Sequence, residues 1–279
     1  MSMHDTASTG WLEKLPIVGH IYRNRSLVWQ FTLRTVHLRH KGSYLGIVWS
    51  LVNPLLMLGL YTVAFGLIMK GGFHVKEGET TLDYALGIFI GMSIYGLVAE
   101  TFGGAPFIII GNTNLVKKVV FPLEILPVAT VLAALYHFCI AMLLCGLGLL
   151  FLGPGLTLYA LWVPVILFPL ILLALGLAWL ISALGVYFRD ISQITGFFST
   201  LFFYLSAIFF SPSRIPGAFR NLFELNPMLL GIDLTRKVLL WNLPVDMMSL
   251  AYLYGFGGLT FVGGYWVFRK LKPGFADVL

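Results

Sequence analysis

Paired lysines, Lys117 and Lys118, sit in a short amphiphilic stretch, 112–124, between two long apolar runs. Leu115, Val116, Val119 and Phe121 flank them, giving the makings of a docking knob: an apolar tip with cations to steer it towards a partner or an anionic surface. Ionisable groups inside apolar runs are the second source of chemistry, because each is expensive there and so usually has a task. Glu100 and His137 are the candidates. They fall on different segments with no chain of further acids to relay a proton, which argues against ion-driven work. Glu100 is left as either a structural bond or a coupling residue, and His137 as a packed helix residue. A third pattern is a mixed face, Ser199, Phe203, Ser206 and Phe210, at helical steps of four and three. Beside it runs a wholly apolar face of Phe198, Phe202, Leu205 and Phe209. Tyr61 and Phe65, one helical turn apart, offer an opposing wall. Hydroxyls interleaved with rings suit sliding contact with a molecule that has both C–H faces and hydroxyls, as sugars do.

Other chemistries find no footing. There is no His-Glu-x-x-His helix, no Gly-x-Ser-x-Gly elbow and no cysteine pair at ligand spacing. Gly-Lys occurs nowhere, so the phosphate-binding loop that ends in Gly-Lys-Ser/Thr is missing. If ATP drives this protein, another chain must bind it. Cys139 and Cys145 share one apolar run and read as packing residues. His37 and His40 lack a neighbouring carboxylate or thiol and read as headgroup-facing, so no metal site is expected. No catalytic group is expected either.

The elements that must position these residues follow from composition. Of 279 residues 58% are hydrophobic and 11% charged, too apolar for a soluble domain to cover itself. The net charge of +6 is split among short segments between apolar runs, a membrane-orienting pattern rather than a nucleic-acid surface. Residues 1–25 read as a loose cytoplasmic leader without signal-peptide features. Residues 26–43 read as a basic amphipathic interface helix, with Gln30, Arg34, His37 and Lys41 on one face and Trp29, Leu33 and Val36 on another. Six spans are expected at about 44–69, 84–110, 123–152, 158–187, 194–210 and 247–268, each near the ~20 residues that a bilayer needs. The 44–279 region is therefore one all-α integral membrane domain. Lys and Arg divide twelve to six between the two sides, which places both termini in the cytoplasm.

Residues 211–246 are too apolar for an ordinary outer loop and too short-segmented to span. Pro212, Ile215, Pro216, Phe219 and Pro227 mark short apolar helices that suit a re-entrant gate, with a compact outer loop as the alternative. Arg189 and Asp190 read as an interfacial anchor that ends one helix and starts the next at Asp190.

Several stretches taken together resemble the permease subunit of polysaccharide-exporting ABC transporters of the type-2 class. They are Leu33-Arg34-Thr35, Tyr44-Leu45-Gly46-Ile47-Val48-Trp49-Ser50-Leu51-Val52-Asn53-Pro54, Asn114-Leu115-Val116-Lys117-Lys118-Val119-Val120-Phe121-Pro122-Leu123-Glu124-Ile125-Leu126-Pro127, Tyr187-Phe188-Arg189-Asp190-Ile191 and Leu225-Asn226-Pro227. They follow in order over nearly the whole chain beyond the leader. The resemblance implies a homodimer of six-helix subunits in the bacterial inner membrane, served by two copies of a separate ATPase subunit that uses ATP and magnesium. It implies a lipid-linked glycan as substrate, of the O-antigen, capsule or teichoic-acid kind. It makes 112–122 the coupling helix, with Leu115, Val116, Lys117, Lys118, Val119 and Phe121 at the ATPase. It also makes 211–246 the outer gate, and puts Tyr61, Phe65, Ser199, Phe203, Ser206 and Phe210 beside the channel. Leu123 departs from a basic residue common at that place in relatives. A drug or lipid exporter of the same architecture, an ATP-independent carrier and a membrane scaffold are the alternatives.

Overall fold

The computed structural model describes residues 16–39, 41–69, 71–75, 77–153 and 155–279. Most of the leader (1–15, with Lys14), His40, Lys70, Lys76 and Pro154 of the tight turn lie outside the described residues. Among those described the chain is helical throughout, with no strand.

Two helices, α1 (Pro16–Arg23) and α2 (Arg25–Arg39), come first. The end of the expected loose leader is thus a helix, in which Asn24 Nδ2 donates to the His20 carbonyl at 2.9 Å. In α2, Val28, Thr32 and Val36 are buried at steps of four, whereas Trp29 is 61% exposed. The helix therefore carries two apolar stripes. The expected apolar face is split between them: Val36 belongs to the stripe that seats on the body of the protein, whereas Trp29 and Leu33 point outward.

Next comes a continuous stretch, Gly46–Ile68, built from a 3₁₀ turn, α3 (Trp49–Tyr61) and a π-helical end over Thr62–Ile68. Helix α4 (Thr81–Ile108) begins earlier than the hydropathy suggested. Thr80 accepts from the Asp83 N–H while Asp83 accepts from the Thr80 N–H, a capping box that adds a turn. A 3₁₀ turn over Ile110–Asn112 leads to the short α5 (Thr113–Lys117), then α6 (Ile125–Phe151). Helix α7 (Val163–Tyr187) extends a 3₁₀ turn over Leu158–Trp162. Gly46–Ile68, α4, α6 and Leu158–Tyr187 are each long and apolar enough to cross a membrane.

Helix α8 (Ile191–Leu205) is shorter than the expected 194–210 span. At 15 residues it rises about 22 Å, short of a ~30 Å hydrocarbon core. It stops because Ala207 takes a left-handed φ of 48°, which no helix continues through. Two short helices follow, α9 (Gly217–Glu224) and α10 (Pro227–Arg236), then α11 (Met247–Leu271) and α12 (Phe275–Val278). The Asn226 side chain caps α10 and that of Asp246 caps α11.

Helices α4, α6 and α7 form the packed centre, whereas only 11% of the first apolar stretch is buried, so α3 lies at the edge. Helices α7 and α11 meet backbone to backbone. A Cβ on Gly264 would strike the Gly176 carbonyl, one on Gly176 would strike Thr260, and one on Gly257 would strike the Pro169 carbonyl. Small residues on facing sides let apolar helices approach until dispersion and Cα–H contacts hold them. One apolar core runs through the middle of the bundle. A second, around Val28, Leu123, Trp179, Phe268 and Phe275, closes the end that carries the paired lysines.

Candidate functional site

At the lysine end, residues 109–124 do not form a free knob. Leu115, Val116 and Phe121 are half-buried in the end core, and the Phe121 ring meets Phe31 of α2 edge-on at 5.3 Å. Leu123 is buried. Glu124 accepts two bonds from Lys272 Nζ at 2.8 and 2.9 Å, and its carbonyl accepts from the Trp179 indole at 2.9 Å. What projects is Lys117, Lys118, Val119 and Val120, the last fully exposed. The apolar tip is therefore Val119 and Val120, displaced from the expected Leu115, Val116 and Phe121, whose side chains weld the loop to α2 instead. Sequence reasoning passed over Val120 as a site residue. Its signal was its place directly after the lysines and Val119, before the ring that anchors.

The expected mixed face of the fifth span is partly broken up. Ser206 is buried beyond the last residue of α8, and the left-handed turn at Ala207 takes Phe210 off that face. Tyr61 is buried as well, while Phe65, Ser199, Phe203 and Phe210 are half-buried. Phe65 stacks on Phe209 at 4.7 Å, and Tyr95 meets Phe203 at 5.2 Å while its hydroxyl lies 2.8 Å from Ser199 Oγ. The neighbouring apolar face also packs inward in part, with Phe202 stacked on Phe102. The side of α8 that stays open carries Ile194, Phe197, Leu201 and Tyr204. Arg189 and Asp190 are exposed between α7 and α8. Asp190 holds the N-cap position, but its side chain makes no capping bond.

Of the expected gate residues, Pro216 and Phe219 are exposed, Pro212 and Ile215 are half-buried, and Pro227 is buried at the start of α10. Helix α10 ends on a residue that the sequence reading counted as an outer charge. Arg236 is 1% exposed and sits against the Phe73 ring, 4.3 Å from its centroid. Its Nε donates to the Gly87 carbonyl at 2.8 Å, Nη1 to Ala207 at 2.9 Å, and Nη2 to Ile208. One guanidinium thus joins α10, α4 and the broken end of α8. Asp233 and Lys237 beside it are charged as well and remain partly exposed, so no local pattern marked Arg236 as the buried one.

Glu100 and His137, placed apart by the sequence reading, meet. His137 Nδ1 lies 3.1 Å from Glu100 Oε2, and Arg39, the last residue of α2, forms an ion pair with Glu100 Oε1. The cluster walls a cavity of 330 Å³ that runs past Asn53 to Tyr61, between α3, α4 and α6. It ties the end of α2 to two bundle helices, α4 and α6. With Arg39 half-exposed and Glu100 28% exposed, screening limits the gain to about 1 kcal/mol. Glu100→Gln is expected to speed hydrogen exchange in the last turn of α2 roughly fivefold, with α6 unchanged. Equal protection in the variant and the parent excludes the tie.

A family model described as ABC-2 type transporter matches residues 26–240. The chain is 28% identical over 251 residues to an O-antigen export system permease protein RfbA of Klebsiella pneumoniae, covering 89% of this chain and 93% of that one. It is 27% identical over 219 residues to the protein of that name in Myxococcus xanthus, covering 76% and 79%.

Proposed function

The chain belongs to the ABC-2 type transporter family, and from that premise we propose that it is the permease subunit of an ATP-driven exporter of a lipid-linked polysaccharide. The observation that carries the substrate class is the match to O-antigen export permeases across 89% of the chain. In this reading the protein works in the bacterial inner membrane as a homodimer, with both termini in the cytoplasm. A separate ATPase, present twice, binds ATP and magnesium, and this chain contributes no catalytic group.

The six-span arrangement counts α8 and α11 with the four long apolar stretches, α8 being completed by the turn beyond it. The 25-residue length of α11 and its close seat on α7 support its inclusion. Helix α10 serves as the re-entrant element. Its buried position is compatible with membrane depth because the backbone of a short helix inside protein is satisfied.

The end core suggests how force is passed on. Val119 and Val120 seat in the ATPase, with Lys117 and Lys118 steering. Because Phe121 packs on Phe31 and Glu124 is tied to Lys272, the loop moves as one body with α2, the start of α6 and the C-terminal turn, rather than bending alone. The Arg39–Glu100–His137 tie carries that movement into α4. Closure of the two ATPases on ATP then selects a bundle arrangement that opens a path between the two copies. The open side of α8, with Phe197, Leu201 and Tyr204, and the half-buried Ser199 and Phe203 border that path. Rings and hydroxyls there let a glycan slide without a deep minimum.

Deleting the gene is expected to remove the glycan from the cell surface and leave its lipid-linked form inside. Normal surface glycan in the deletion strain overturns the proposal.

A further inference from the structure

The cavity of 330 Å³ between α3, α4 and α6 falls within the ~300–1,000 Å³ range of small-molecule sites. None of its lining residues belongs to α8 or to 211–246, so neither the proposed glycan path nor the outer gate uses it. It exists because α3 is seated loosely. Only 11% of the first apolar stretch is buried, and α3 rests on both α4 and α6 without filling the space between them.

The two ends of the cavity differ in chemistry. One holds Arg39, Glu100 and His137, whereas the other runs between Met57 and Tyr61 of α3 and Phe89 of α4. Along α4 the rise from Glu100 to Phe89 is about 16 Å, close to half of a ~30 Å hydrocarbon core. The cavity is therefore about as deep as one leaflet. Its charged end lies towards the paired lysines, because Arg34, on the same helix as Arg39, bonds the Asn112 side chain. From Arg34 to Arg39 the helix rises only about 8 Å, which puts the charges at headgroup depth.

The charges at that mouth cancel. Glu100 takes Arg39 Nη1 on Oε1 and lies 3.1 Å from His137 Nδ1 through Oε2. Neither charged group is sealed, for the Arg39 side chain is 50% exposed and that of Glu100 28%. The rest of the guanidinium fork still offers donors, and a carboxylate with one bond at each oxygen still accepts more. An anionic headgroup would meet Glu100 as well as Arg39, and a cationic one Arg39 as well as Glu100. A headgroup that carries both signs suits both. A primary ammonium fits Glu100 better than a quaternary one, since only the first can donate a hydrogen bond. Asn53, exposed on α3, adds an amide to the lining.

We propose that this cavity binds one phosphatidylethanolamine molecule of the cytoplasmic leaflet. Arg39 donates to its phosphate, Glu100 accepts from its ammonium, Asn53 donates to an ester carbonyl, and one acyl chain lies along Met57 and Phe89. The lipid fills the gap beside α3 and strengthens the hold of the bundle on the end of α2. The choice of leaflet rests on the orientation given under the proposed function, whereas the site itself does not depend on a glycan being the cargo.

The test uses the permease co-purified with its ATPase in detergent. Native mass spectrometry follows the complex as it is titrated with phosphatidylethanolamine, phosphatidylcholine and phosphatidylglycerol of the same chains. One phosphatidylethanolamine per permease chain is expected to bind about tenfold tighter than either of the others, the yield of about one charge-assisted bond. Glu100→Gln should erase that preference. Because Glu100 also holds α2, Met57→Trp is the second variant. It fills the apolar end and should weaken phosphatidylethanolamine as well, while hydrogen exchange in the last turn of α2 stays as in the lipid-free parent. The site is overturned by equal binding of the three lipids, by a preference for phosphatidylglycerol, or by unchanged binding in either variant. Displacement of the lipid by the cell's own lipid-linked glycan overturns it too, since the cavity would then be a seat for substrate. Each of these results leaves glycan export standing as long as the deletion strain lacks surface glycan, and normal surface glycan in that strain leaves the lipid site standing.

Discussion

Replacing Arg236 by methionine is expected to destabilise the protein by about 3 kcal/mol. Three charge-assisted bonds are lost, each worth ~1.5–3 kcal/mol, and the carbonyls of Gly87, Ala207 and Ile208 are left facing a thioether. Part of that loss is returned, because a guanidinium with 1% exposure no longer has to be kept out of water. Among the described residues no carboxylate lies within ion-pair distance of Arg236, so removing it strands no opposite charge. Methionine fills similar volume, which keeps a cavity term small. The fall in thermal midpoint of the purified protein is the measurement.

Arg236→Lys should recover less than half of the loss. An ammonium is a point donor and cannot fork across three carbonyls that belong to two segments. The same substitution should free the broken end of α8, so hydrogen exchange at residues 205–210 should quicken before that of α4. A methionine variant as stable as the parent would show that packing against Phe73 alone holds α10.

The second large effect is functional. Val119→Asp combined with Val120→Asp should abolish export and separate the permease from its ATPase, while leaving the isolated permease as stable as before. Both valines are exposed in the lone chain, so nothing internal is lost. In the proposed complex, burying two valines is worth about 3 kcal/mol in all, more than a hundredfold in affinity. Two carboxylates placed there would add a desolvation cost of their own. Surface glycan and co-purification of the ATPase are the readouts. Lys117→Ala with Lys118→Ala should act more weakly and chiefly at raised salt, since steering charges act on encounter more than on the docked state. Phe121→Ala is predicted to behave differently from the valine pair and to lower the melting temperature, because its ring is part of the end core with Phe31. If the double aspartate variant still holds its ATPase and exports, the docking tip lies elsewhere.

The contrast between Phe121 and Val120 shows where sequence reading stops. Both are apolar residues beside paired lysines, and hydropathy treats them alike. Only the fold of 109–124 back onto α2 decides that one faces inward and the other out. Arg236 makes the same point for charge. Counted along the chain it is one more cation in an outer loop, whereas in space it is the joint of three segments. Glu100 and His137, 37 residues apart, carry no mark of meeting, because side chains on separate helices are brought together by helix rotation and packing, which no local pattern encodes.

Much was nevertheless dictated by the residues alone. A chain with 58% hydrophobic residues in long unbroken runs between short charged breaks reads as helical and membrane-embedded, since lipid leaves backbone groups no partners but their own and runs of ~20 apolar residues suit helices rather than the alternating strands of a barrel. The run Leu158–Tyr187 was legible to the residue, and the ordered stretches from Leu33 to Pro227 pointed to the family. The tertiary structure decided the rest: α8 halts at Ala207 where Arg236 receives its carbonyls, and Tyr61 and Ser206 turn inward. It also decided that Val120, not Phe121, meets the outside. These outcomes depend on contacts between residues far apart in the chain, whose energies are set by how whole helices pack and not by the composition of any one of them.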